Sequence, residues 1–353
     1  MSNVVVAMSG GVDSSVAAAL LKQQGYDVTG MMLRLWSEPG QECNNRCCTP
    51  DAMAQARRVC ALLEIPFYVV DVKEMFYSEV VRYFLDGYAR GQTPNPCLVC
   101  NRQVKWGFLL EHALALGADF LASGHYARKR VAAGGRQELL RGVDRSKDQS
   151  YILHVLTQER LGRALFPVGE YSKPQIRALA RDFNLPTANR TESQDLCFLA
   201  GQDYRDFIRH NDPARAVPGP IRDRIGNTLG EHQGLAYYTI GQRKGLGIPS
   251  SVPLYVLAKQ AATNTLIVGV EAELGARELT AAQVNWVAGA APSGSLRLQV
   301  KTRYSAREAW AAVRPLEDER VQVSFEEPQR DLTPGQAAVF YDDEVVLGGG
   351  LIE

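Results

Sequence analysis

Val4–Met8 is a short, uninterrupted apolar run fit for a buried strand, and Val16–Gln24 follows with the spacing of a helix. Val28–Leu35 is again strand-like. Thr49-Pro50-Asp51 is a helix start, with threonine as the cap and proline at the first helical position. Ala52, Ala56, Val59, Cys60 and Leu63 then recur at helical spacing. Phe67–Val72 reads as a strand, Lys73–Tyr88 and Val104–Leu116 as helices, and Asp119–Ser123 as another strand. Strands alternating with helices predict βαβ units. The expected fold is α/β, a doubly wound parallel sheet with helices on both faces and ligands at the carboxyl ends of its strands.

Ala127–Val131 and Gln137–Arg141 flank Gly134-Gly135 and predict a hairpin inserted after that sheet. Ser172-Lys173-Pro174 opens a further helix, through Phe183. From about Val217 the texture changes: glycine is frequent, apolar runs shorten and helical periodicity is lost. Short strand-like runs such as Leu296–Lys301, Val321–Phe325 and Ala337–Tyr341 predict a small antiparallel barrel or sandwich at the end of the chain. The expected division is an α/β catalytic domain over 1–210, a small central domain over 211–278, and a β-barrel-like domain over 279–353.

The length of 353 residues agrees with two or three domains. Lys+Arg and Asp+Glu both number 39, and a net charge of zero argues against a protein that coats nucleic acid generally. The charge is nevertheless segregated. Residues 93–147 hold nine basic and four acidic residues, and residues 308–331 hold three and seven. Arg128-Lys129-Arg130 and Arg145–Lys147 suit phosphates, a solvated basic hairpin being the other reading. Seven cysteines are too few for a disulfide scaffold. No apolar run approaches 18 residues and the first residues do not form a secretion signal, so a cytoplasmic protein with reduced thiols and no membrane partner is expected.

The sharpest local signal is Ser9-Gly10-Gly11-Val12-Asp13-Ser14-Ser15, between the first strand and the first helix. Two glycines let the backbone turn its N–H groups toward an anion, the helix N-terminus adds more, and the serines add hydroxyls. The Gly-Lys-Ser/Thr ending of a Walker loop is missing, as is the dinucleotide fingerprint. The loop resembles the PP-loop signature of ATP pyrophosphatases. That resemblance implies AMP and pyrophosphate as products, with Mg²⁺ offsetting phosphate charge and Asp13 near the metal. A first-turn aspartate favoured by the helix dipole is an equal reading of Asp13.

Cys97 and Cys100 form a C-x-x-C after two prolines, with the next helix expected from about Val104. Cysteines just before a helix N-terminus favour the thiolate. The pair is open to three readings: redox pair, half of a metal site, or chance. Cys197, between Leu196 and Phe198, is by default a small buried residue. Cys43, Cys47 and Cys48 form a separate group that reads as loop thiols or, less readily, part of a zinc site, and Cys60 falls on an apolar helix face.

Together the segments SGGVDSS, TPNPCLVCNRQVKWG, SGHYAR, KDQSYIL, ESQDLCFL and YTIGQRKGLG, with KTRYS and GQAAVFY further on, resemble the tRNA-specific 2-thiouridylase family over almost the whole chain. The resemblance implies a tRNA-uridine 2-sulfurtransferase that adenylates the C2 oxygen of the wobble uridine and replaces it by sulfur. It implies Cys100 as nucleophile and Cys197 as persulfide carrier, fed by a sulfur-donor protein. ATP contacts carry over to Ala7, Met8, Ser9, Gly10, Gly11, Val12, Asp13 and Ser14, to Leu33, and to Gly124. Contacts to tRNA carry over to Asn95, Pro96 and Cys97 at the target base, to His125, to Lys147, Asp148 and Gln149, and to Arg303, Tyr304 and Gln336. Phe198 is expected to exclude water. Many family members have aspartate where this chain has Cys97. Cys97, Cys100 and Cys197 could instead hold a [4Fe–4S] cluster carrying sulfide on an open iron. Another PP-loop ligase and a non-catalytic tRNA-binding module are the competing functions.

Overall fold

The computed structural model describes residues 1–41, 49–191, 196–330 and 332–353. The first part contains strands β1 (Asn3–Ala7), β2 (Asp27–Arg34), β3 (Phe67–Asp71), β4 (Phe120–Ala122), β5 (Ala127–Val131), β6 (Gln137–Arg141) and β7 (Ala164–Leu165). Five of them form one parallel sheet in the order β3-β2-β1-β4-β7. The three valines of β1 are all buried, as a strand covered on both faces requires. β3 lies at the sheet edge and departs from this, exposing Tyr68 and Val69.

Two helix starts fall earlier than the sequence pattern suggested. The first helix runs Val12–Gln23, because Gly11 is already extended and acts as its cap. The helix expected from about Val104 begins at Pro96: Asn95 accepts from Cys97 N, and Pro96 occupies the first position. It continues from Pro96–Val99 into wide, π-type turns over Cys100–Leu109 and then Leu110–Ala115. Cys97 and Cys100 therefore lie inside a helix rather than ahead of one.

The middle region has β8 (Gly219–Arg222), β9 (Thr228–His232), β10 (Tyr255–Gln260) and β11 (Thr265–Gly269), in the order β10-β11-β8-β9. The last region has β12 (Ala276–Trp286), β13 (Leu296–Lys301), β14 (Ala309–Pro315), β15 (Val321–Gln329), β16 (Ala337–Asp342) and β17 (Val345–Ile352). Pairing of β12 with both β15 and β17 closes these six into an antiparallel barrel.

The early hairpin β5–β6 does not extend the parallel sheet. Leu139 and Leu140 pair with Val346 and Val345, so the hairpin joins the barrel sheet through β17. Arg141 secures that junction, donating to Glu308 at 2.6 Å and standing 3.6 Å over the Tyr341 ring. An apolar cluster containing Cys100, Phe198, Tyr237 and Val256 unites the cysteine helix with the middle region.

Candidate functional site

In the sheet order, successive crossovers run to one side of β1 through β2 and β3 and to the other side at β4. The gap beyond the carboxyl ends of β1 and β4 is where such sheets take ligands. A cleft opens there, lined by Ala7, Met8, Ser9, Asp13 and Ser14, by Met31, Leu33 and Leu35 of the second strand and its end, and by Ser123, Gly124 and His125 after β4. Cys100, Lys105, Leu109 and Gln149 complete the lining.

The loop is held in shape by its own serines. Ser9 N donates to Ser14 Oγ at 3.2 Å, and the Ser9 and Ser14 hydroxyls are 3.2 Å apart. The Ser15 hydroxyl, expected to face an anion, is buried and donates to Gly11 O at 2.8 Å, so it braces the helix instead. Gly10 has φ +72, and a Cβ there would fall 2.3 Å from Ala52 O. Gly124 is required by close approach: its Cβ would stand 2.7 Å from Ser14 N.

Asp13 lines the cleft and is held by two side chains. Lys173 donates to both carboxylate oxygens at 2.8 Å, and the Tyr126 hydroxyl donates to Oδ1 at 2.7 Å. Both Asp13 oxygens therefore carry donors, while its side chain remains 30% exposed. Neither Lys173 nor Tyr126 stood out as a site residue in the sequence, although Tyr126 lies in SGHYAR and Lys173 opens a capped helix. His125 is buried, its Nδ1 lies 2.7 Å from Ser123 Oγ, and burial, then Lys105, hold it well below the ordinary histidine range. The ring is therefore neutral at physiological pH.

Cys100 is buried at the cleft wall, and Cys97 and Cys197 are half-buried. Cys197 begins a single tight turn, Cys197–Leu199. Phe198 pins that turn, meeting the rings of Phe84 and Phe207 at 5.2 and 5.3 Å and that of Phe76 at 6.2 Å. Leu196 and Cys197 thereby pack against the cluster that contains Cys100. The fold thus brings Cys197 to the same apolar cluster as Cys100, 97 positions earlier in sequence.

The residues expected at tRNA fall into three groups. Asn95 caps the cysteine helix, Pro96 is buried, and Asn101 Nδ2 donates to Cys97 O at 2.8 Å. Asp148 is buried and takes Gly142 N, Ser150 N and the Ser150 hydroxyl, so it shapes the loop that carries Lys147. Gln149 reaches the nucleotide cleft and accepts from Tyr126 N at 3.0 Å. From the barrel, Gln336 Nε2 donates to Thr93 O at 2.8 Å, and Thr93 N donates to Pro334 O at 2.8 Å. Lys259 of β10 adds 3.1 Å to Gln92 O, and burial lowers its amine to about 7. The segment leading to Cys97 is thus braced by both later regions. Arg303 joins those regions through Ile240 O and the Thr333 hydroxyl. Tyr304 is exposed on one side, and its phenol is pushed up by burial, then by Asp148 and Cys97 beside it.

Each cation of the hairpin Arg128-Lys129-Arg130 has a partner within the fold, and Arg130 stays more than half exposed. Arg128 donates to Arg141 O at 2.7 Å and to Glu344 at 2.9 Å. Lys129 lies 3.2 Å from Gly162 O, and Arg130 pairs with Glu138 at 2.6 Å. Joining the barrel supplied Glu344 to Arg128, whereas Lys129 is held by the helix Gln158–Arg163 and Arg130 by its own hairpin. Among the described residues no three His, Cys, Asp or Glu side chains gather as a metal-holding group, so Cys97, Cys100 and Cys197 do not form a three-thiolate set. Cys43, Cys47, Cys48 and the segment 192–195 lie outside the described residues. No described helix is long and apolar enough to cross a membrane.

Residues 2–201 match the family model described as the tRNA methyl transferase HUP domain. Residues 205–270 match the tRNA methyl transferase PRC-barrel domain, and 276–352 the aminomethyltransferase beta-barrel domain. The tRNA-specific 2-thiouridylase MnmA of Roseiflexus castenholzii is 49% identical over 368 residues, spanning 100% of this chain and 99% of its own. That of Chloroflexus aggregans is 49% identical over 353 residues, spanning 100% of this chain and 98% of its own. A solved U34-tRNA thiolase, NcsA from Methanococcus maripaludis, aligns over 60% of this chain and 68% of its own, with 18% identity and a TM-score of 0.35, a likeness too weak to bear on function.

Proposed function

The chain belongs to the tRNA-specific 2-thiouridylase family, and from that membership we propose that it replaces the C2 oxygen of the wobble uridine of tRNA by sulfur, with ATP as activator. The observation that carries this reading is the shared cleft: the nucleotide loop and Cys100 line one cavity, and Cys197 packs against the cluster that holds Cys100.

The chemistry runs in two stages. Oxygen on C2 is a poor leaving group. It attacks the α-phosphorus of ATP, and pyrophosphate departs into the loop, where backbone N–H groups at the helix N-terminus offset its charge. A wobble base in an anticodon loop can unstack far enough to reach this cleft. The terminal sulfur of a Cys197 persulfide then attacks C2, and AMP leaves. Cys100 thiolate attacks the inner sulfur, closing a Cys100–Cys197 disulfide and freeing 2-thiouridine. A thiol reductant restores the cysteines, and a sulfur-donor protein reloads Cys197.

Met31, Leu33 and Leu35 supply an apolar wall for adenine. Mg²⁺ in this reading arrives with ATP. The relay needs only Cys100 and Cys197, and among the described residues no three His, Cys, Asp or Glu side chains gather as a metal-holding group. The family-model descriptions speak of methyl transfer. A phosphate loop beside two cysteines supplies what adenylation and sulfur transfer need.

The test is product analysis of labelled ATP with and without tRNA. AMP and pyrophosphate, formed only with tRNA, are expected. ADP as the main product would overturn the assignment.

A further inference from the structure

Asp13, the acidic residue of the nucleotide loop, is tied to a second loop by two side chains. Tyr126 donates its hydroxyl to Asp13 at 2.7 Å while its backbone exchanges two bonds with Gln149, N to Oε1 at 3.0 Å and O from Gln149 N at 2.8 Å. Lys173 holds both Asp13 oxygens at 2.8 Å, with its side chain 9% exposed, while its backbone N–H donates to Asp144 Oδ2 at 3.0 Å. Asp144 Oδ1 in turn takes Ser146 N at 3.1 Å and the Ser146 hydroxyl at 2.6 Å. Gly142, at the head of the loop, lies so close that a Cβ would stand 2.8 Å from Tyr126 O. Both routes therefore end on the 142–150 loop that carries Lys147 and Gln149.

We propose that Tyr126 and Lys173 are positioning residues that couple the nucleotide loop to the 142–150 loop, so that ATP and tRNA bind as a linked pair. The proposal rests on the cleft being the ATP site and the loop facing tRNA. Phosphates entering the Ser9–Ser15 loop bring negative charge beside Asp13. That charge adds to the attraction on the buried Lys173 ammonium and so fixes in place the residue whose backbone N–H holds Asp144. Gln149 is fixed in parallel by Tyr126. A tRNA arriving second meets a loop already ordered and loses less freedom on binding, which is positive coupling. Linkage makes the effect reciprocal: tRNA must tighten nucleotide by the same factor.

The experiment measures tRNA dissociation constants for the full chain with and without saturating α,β-methylene-ATP, and the converse, in wild type, Tyr126→Phe and Lys173→Gln. Wild type is expected to show a factor of about 5 or more, equal in both directions. Tyr126→Phe removes one hydroxyl and keeps the ring. It should bring the factor below about 2, with each ligand alone bound within about threefold of wild type and an unchanged melting temperature. A merely structural role would shift the single-ligand constants or the melting temperature, not their ratio. Lys173→Gln repeats the test through the second route. A wild-type factor of one, or a full factor retained in both variants, overturns the proposal. Wild type that binds neither ligand refutes the ATP and tRNA reading beneath it.

Discussion

Replacing Gly124 by alanine adds one methyl group where the chain leaves β4 and passes under the nucleotide loop. The new Cβ would lie 2.7 Å from Ser14 N, 2.8 Å from Asp13 C and 2.9 Å from Asp13 Cβ. Carbon packs comfortably at about 3.5 Å, so one partner must move by roughly 0.6–0.8 Å. Neither side yields easily. The first helical turn is anchored by buried Val12 and by Ser15 on Gly11 O at 2.8 Å, and Ser123 N is held on Leu165 O at 3.1 Å. Overpacking of this kind costs about 1–3 kcal/mol. If the loop absorbs it, nucleotide binding weakens by roughly 5- to 150-fold. If the loop holds, the same amount appears as a lower melting temperature. Titration calorimetry with α,β-methylene-ATP and a thermal melt together capture both outcomes. Gly162→Ala, whose Cβ would meet nothing within 4 Å inside the helix Gln158–Arg163, is the control and should be neutral or stabilising by up to about 1 kcal/mol. Gly124→Ala that binds nucleotide and melts as wild type would refute the packing argument.

Cys100→Ser and Cys197→Ser should each abolish 2-thiouridine formation while leaving tRNA affinity within a few-fold, because phosphate contacts dominate that interface; thiolation retained in a complementation assay would remove either from the sulfur relay. Alanine at Arg128, Lys129 and Arg130 together should lower thermal stability and leave the salt slope of tRNA binding unchanged, whereas a slope flattened by roughly 0.7 per lost single-strand contact would return the hairpin to the tRNA surface. Burial holds His154 at about 4 against an ordinary 6.5, so the unfolded chain binds the proton first. Stability present above pH 6.5 is therefore lost as pH falls toward 4, by on the order of 3 kcal/mol, and His154→Gln should flatten acid-melting profiles in that window.

The order of apolar runs was enough to predict the parallel sheet, and the glycine-rich, short-stranded texture of the last third was enough to predict a barrel. Both are local signals, carried by residues close in sequence. The nucleotide loop was legible for the same reason: strand, glycines and helix are contiguous, and the loop's partners are mostly its own serines. The Asn95–Pro96 helix start is equally local, its cap and first-position proline lying side by side, yet the sequence reading missed it and placed Cys97 and Cys100 ahead of the helix. What tertiary structure alone decided is where distant side chains find partners. The Arg128–Arg130 hairpin reads as a cationic face until β17 pairs with it and Glu344 comes within 2.9 Å of Arg128. Asp13 shows no partner in the sequence until Lys173, 160 positions on, bonds both of its oxygens. Cys197 reads as a buried small residue until the ring of Phe198 locks its turn against the cluster that holds Cys100. Charge and thiol chemistry depend on what stands within a few ångströms, and long-range packing sets those neighbours, so the sequence determined which groups exist and the fold determined which of them meet.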